Sequence, residues 1–151
     1  MGSYAQTQLR PVTSMQRVDT DVKLTLPARP ENVSVIRHVL GAFAEALRLD
    51  DDLVEDLRLA VTEACTNVVR HAYPPDRTGP VEISIQPLEE HVSVIVSDHG
   101  RGIGTSSDTT GPGLGLPLIA AIADDVDLEP VPGGGSRVAM TFSRQRRGDV
   151  A

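Results

Sequence analysis

The sequence predicts an α+β protein, a two-layer α/β sandwich whose mixed, mostly antiparallel sheet is covered on one face by three helices. Two periodicities carry that prediction. Short segments alternate apolar and polar residues, as half-buried strands do, while longer segments repeat apolar residues at three- and four-residue steps, as amphipathic helices do. The third observation is that tight turns join the alternating strands, which leaves one sheet face solvated and the other for the helices.

The elements follow in order. Val18, Val22, Leu24 and Leu26 share parity and predict a first strand ended by Pro27. Val35, Ile36, Val39, Leu40, Phe43 and Leu47 recur at helical spacing and predict a helix over about 31–47. A second helix is expected from Asp50, where three aspartates suit the positive end of a helix dipole. It runs through Leu53, Leu57, Val61, Ala64 and Val68 to about Ala72, and Pro74-Pro75 stops it. Val81, Ile83 and Ile85, then Val92, Val94 and Val96, mark two strands. A glycine-rich loop spans 100–115, a short helix covers about 116–124, and two strands carry Val126 and Leu128, then Val138, Met140 and Phe142. Residues 1–17 and 144–151 lack any period and read as flexible tails around one domain, 18–143.

Composition narrows the function classes. The 151 residues carry a net charge of −7, and thirteen of the fourteen basic residues are Arg. An acidic chain without a basic stripe is not built to grip nucleic acid or an anionic membrane. Cys65 is the only cysteine, which excludes an internal disulfide framework and a cysteine-rich zinc site. His38, His71, His91 and His99 lack metal-ligand spacing. No apolar run approaches the roughly 18–20 residues of a membrane span, and the polar N-terminus is no signal peptide, so the expected compartment is the cytoplasm.

The candidate chemistry lies in three places. Six of the thirteen glycines (Gly100, Gly102, Gly104, Gly111, Gly113 and Gly115) fall within sixteen residues, the last three just before a helix. Without a Cβ, such backbone can converge its N–H groups on an anion, and a helix N-terminus adds more donors. A plain surface loop is the alternative. GxGxxG and GxxxxGK[ST] are both absent, so neither the dinucleotide fingerprint nor the P-loop applies. Asp98 shares parity with Val92, Val94 and Val96 and should point to their apolar face, where a carboxylate needs donors. Turn amides of the glycine loop would satisfy it, or a ligand N–H such as an adenine amine. Glu63 and Asn67, four apart, share a helix face. Asn67 can offer an oxygen to Mg²⁺ and Glu63 can take a hydroxyl proton, although alone this spacing reads first as a solvated face.

Taken jointly, these segments resemble a known family. The stretch from Leu57 to Phe142 is similar to the Bergerat-fold (histidine-kinase-like, GHKL) ATPases, which include gyrase, Hsp90, MutL and histidine kinases. LRLAVTEACTNVVRHAY looks like their N box, VSDHGRGIG like the first glycine box and GPGLGLPLIAAIADDV like the second. PGGGSRVAMTF looks like their closing strand pair. The nearest likeness is to the anti-sigma-factor serine kinases of the RsbW/SpoIIAB type, which share Glu-Ala-x-Thr-Asn in the N box. The resemblance implies ATP and Mg²⁺ as cofactors, with Glu63 as catalytic base and Asn67 as magnesium ligand. It further implies that Asp98 accepts from the adenine amine and that Ser136 supplies a late-strand hydroxyl. Gly100, Gly102, Gly104, Gly111, Gly113, Leu114 and Gly115 would line the nucleotide loop. In this sequence only Thr105–Thr110 separates the glycine boxes, a shorter lid than in the better-known members, and Pro112 stiffens the second box.

The implied function is an ATP-dependent serine protein kinase that phosphorylates a STAS-type anti-anti-sigma partner and sequesters a sigma factor. The alternative is a nucleotide-binding anti-sigma module with little or no catalysis. The catalytic half of a split histidine kinase is a third reading, against which no dimerisation helix with a phosphorylatable His is evident. The resemblance also suggests a homodimer.

Overall fold

The structure is a computed structural model that describes residues 21–101 and 115–145. Its element order is β1 (Val22–Pro27), α1 (Pro30–Ala46), α2 (Asp51–Asn67), a π-helical turn (Val68–Ala72), β2 (Pro80–Pro87), β3 (His91–Asp98), α3 (Gly115–Ile122), β4 (Asp125–Pro130) and β5 (Ser136–Ser143). The strands form one sheet in the order β1-β2-β3-β5-β4. All four pairings are antiparallel, so among the described residues the sheet is not mixed.

The alternation read from the sequence sorts the two faces. Val81, Ile83, Ile85, Val92, Val94, Val96, Val138, Met140 and Phe142 all point inward and are buried. Their neighbours on the other face, among them Ser84, Ser93, Ser97 and Thr141, are partly exposed. Helix α2 lies over β3 and β5, with α1 and α3 packed on either side of it. Leu53, Leu57, Ala60, Val61, Ala64 and Cys65 form its buried stripe. Pro30 opens α1 at a position where its missing N–H costs nothing, and Asp51 and Asp52 open α2 at its positive end.

Two expected helix bounds need correction. The second helix is not α-helical to Ala72: it passes into a π-helical turn, Val68–Ala72, after Asn67. Helix α3 starts at Gly115 and ends at Ile122, a shorter element than the expected 116–124. Val126 and Leu128 lie on β4 as expected, and Leu128 on this edge strand is 40% exposed. Val18 of the expected first strand lies outside the described residues.

Candidate functional site

Asp98 closes β3 and is completely buried, on the inward face that its parity predicts. Both anticipated uses of such a carboxylate bear on its geometry. The Gly100 N–H donates to Oδ1 at 2.8 Å and the Ser136 hydroxyl donates to Oδ2 at 2.8 Å. An ionised carboxylate has about four acceptor positions, so two donors hold it in place and leave capacity for a ligand N–H.

Ser136 reaches Asp98 because of the turn before it. Gly133, Gly134 and Gly135 take φ of 91°, 120° and 104°, a region that side chains disfavour. A Cβ on Gly135 would stand 2.0 Å from the Asp98 carbonyl oxygen, so the backbones approach as only glycine permits. These three glycines, part of the PGGGS segment noted in the sequence, set the close approach that brings Ser136 to Asp98.

Gly100 has a structural reason of its own. A Cβ there would lie 1.9 Å from the Ala72 carbonyl oxygen, at the end of the π-helical turn. Arg101 completes that junction: its N–H donates to the Ala72 carbonyl and its Nε to the His71 carbonyl, both at 2.9 Å. A cation is thus placed at the negative end of the helix that carries Glu63 and Asn67.

On α2, Glu63 is partly buried and Asn67 is 4% exposed, deeper than a cleft edge would put it. Nδ2 of Asn67 is buried without a hydrogen-bond partner among the described residues. An orphaned donor costs about 1–3 kcal/mol, so the carboxamide suits a ligand more than a packed core. Among the described residues no group of three or more His, Cys, Asp or Glu side chains could hold a metal. A cation at Asn67 would therefore take most of its oxygens from phosphate and water, as Mg²⁺ commonly does.

The structure thus joins Asp98, Gly100 and Ser136 by direct hydrogen bonds, and ties them through Ala72 to the helix of Glu63 and Asn67. Gly115 begins α3. Gly102, Gly104, Gly111, Gly113, Leu114 and the Thr105–Thr110 lid lie outside the described residues. Tyr73 and His99 also belong to this corner and were not singled out from the sequence. The Tyr73 hydroxyl donates to the Pro80 carbonyl and accepts from the His99 N–H at 2.9 Å. Burial pushes its acidity down, raising the pKa. The His99 N–H bond opposes this in part, and the charges of Asp98 and Glu82 add smaller pushes upward.

The histidine kinase-like ATPase domain model matches residues 26–142, which span every strand and helix described except the first residues of β1 and the last of β5. This chain belongs to the histidine kinase-like ATPase family. Within it, the chain is 33% identical to a serine-protein kinase RsbW of Bacillus licheniformis over 150 residues, covering 89% of this chain and 94% of that one. It is 37% identical to the serine-protein kinase RsbW of Bacillus subtilis (strain 168), over 80% of this chain and 83% of that one. A crystal structure of the RsbU and RsbW domains of a Mycobacterium tuberculosis protein shares the fold, with a TM-score of 0.66 at 22% identity. That match covers 84% of this chain and spans about a third (34%) of the other. The family uses ATP, and the α+β architecture read from the sequence is the one its members share. No helix among the described residues is long and apolar enough to cross a membrane.

Proposed function

We propose that this histidine kinase-like ATPase domain is a serine protein kinase. It transfers the terminal phosphoryl group of ATP to a serine of a STAS-type anti-anti-sigma partner and sequesters a sigma factor. The observation that carries the reading is the doubly anchored, fully buried Asp98, in a chain related over most of its length to serine-protein kinases. Relatives named serine-protein kinases favour the kinase reading over a binding-only module, and Glu63, one turn from Asn67 on the same helix face, is the base it would use.

In this reading each residue has one task. ATP supplies the transferable phosphoryl group, with Mg²⁺ neutralising its charge. Asp98 accepts from the adenine amine while Ser136 and Gly100 keep its oxygens aimed. Asn67 offers its carboxamide to the cation and the phosphates, and the glycines of 102–115 cradle the phosphates with backbone N–H groups. Glu63 takes the proton from the attacking serine hydroxyl. Phosphoryl transfer depends mainly on positioning and charge neutralisation, which this inventory can supply. A homodimer in the cytoplasm completes the proposal.

The test is incubation of the purified protein with labelled ATP and a serine-bearing STAS-type protein. Acid-stable phosphoserine on the partner is the expected product. Nucleotide binding with no transfer would support the binding module instead, and acid-labile label would point to phosphohistidine.

A further inference from the structure

The corner around Asp98 assigns three consecutive amides to three acceptors. The N–H of His99 goes to the Tyr73 hydroxyl, that of Gly100 to the Asp98 carboxylate, and that of Arg101 to the Ala72 carbonyl. The first of these differs in kind. Strands β2 and β3 pair up to Val81 and Asp98, so the next rung would join Pro80 to His99. The Tyr73 hydroxyl stands in that rung, donating to the Pro80 carbonyl and accepting from the His99 N–H. One side-chain oxygen replaces a direct backbone bond at the residue after Asp98.

The ring is held as firmly as the hydroxyl. A Cβ on Gly79 would stand 2.1 Å from a ring carbon, so the tyrosine occupies space that only glycine leaves open. Tyr73 follows the π-helical turn directly, so its placement couples the end of the Asn67 helix to the end of β3. The raised pKa keeps the hydroxyl protonated, as its donor role requires.

We infer that Tyr73 is a positioning residue for base recognition: its hydroxyl sets the backbone on which Asp98 is presented to the 6-amino group of adenine. The inference rests on the proposed role of Asp98. Without the hydroxyl the His99 N–H and the Pro80 carbonyl lose their common partner, and the residue that follows Asp98 loses its link to β2. Discrimination between bases should suffer more than phosphate binding.

The experiment titrates ADP and the diphosphate of purine riboside, which lacks the 6-amino group, into wild type, Tyr73→Phe and Asp98→Asn. Phenylalanine keeps the ring on Gly79, and thermal melts check the fold. In Tyr73→Phe the preference for ADP should fall several-fold to roughly tenfold, the scale of one hydrogen bond. The KM for ATP should rise by more than kcat falls. In the ligand-free protein, exchange of the His99 amide should quicken while the β3–β5 rungs hold. Gly79→Ala, which displaces the ring but keeps the hydroxyl, should lower the same preference. An Asp98→Asn protein that keeps the full preference overturns the adenine assignment itself. If Asp98→Asn loses the preference while Tyr73→Phe and Gly79→Ala keep it, or weaken both nucleotides equally, the role of Tyr73 is overturned alone.

Discussion

A buried carboxylate gains its value from what holds it, and Asp98 is held by one backbone and one side-chain donor. Its inward direction was legible from parity with Val92, Val94 and Val96, because a strand leaves no choice of face. Its partners were less legible, since Ser136 is 38 residues away and arrives through a turn. Asp98→Asn places an NH₂ group where an acceptor stood. The Ser136 hydroxyl can rotate to receive it, so the fold should survive. ADP affinity should then fall by about 1.5–3 kcal/mol, read by calorimetric titration, with GDP as the comparison. Glu63 and Asn67 should separate by function. Glu63→Gln is expected to keep MgATP affinity and lose roughly 10²–10⁴-fold in transfer rate. Asn67→Ala should weaken the magnesium-dependent part of nucleotide binding itself. Equal turnover in wild type and Glu63→Gln would leave Glu63 without a chemical task.

The junction between the π-helical turn and the start of the glycine loop is where two elements meet with no room for a side chain. At Gly100 the obstacle is the Ala72 carbonyl, which is backbone and already accepts from Arg101. Gly100→Ala must therefore shift one element, at a cost of about 1–3 kcal/mol in stability. Equilibrium urea unfolding would show the loss, and Arg101 should lose its contacts to the helix end with it. An unchanged midpoint would mean that the approach is looser than 1.9 Å implies. The sequence announced glycine here, for phosphate binding or for a turn amide to Asp98, but not the close approach to Ala72. It could not show the π-helical turn, because five residues, Val68–Ala72, are too few for their period to be told from that of an α-helix. Strands β2, β3 and β5 and the first two helices were legible because each buries a full stripe or face. Strand β4 was legible from Val126 and Leu128 although, as an edge strand, it leaves Leu128 exposed.

Over the whole molecule, the core sets a limit on alkaline stability. Cys65 is fully buried in α2, and burial pushes its thiol from 9.0 up to about 12. Between those values the folded protein keeps a proton that the unfolded chain has released. Stability is then complete below pH 9 and falls by about 1.4 kcal/mol per pH unit toward pH 12. Tyr73 adds to the decline above about pH 10. Cys65→Ala should flatten the slope of unfolding free energy against pH over that range, measured by denaturant titration at several pH values. The order of the strands has a consequence of another kind. Strands β2 and β3 are joined by a three-residue turn and can pair as soon as both exist, whereas Val22 of β1 finds its partner Ile85 roughly sixty residues later. A chain leaving the ribosome must therefore carry β1 unpaired through the synthesis of both long helices. With Val22, Leu24 and Leu26 exposed for that interval, β1 offers an apolar strand that a chaperone can cover until β2 arrives.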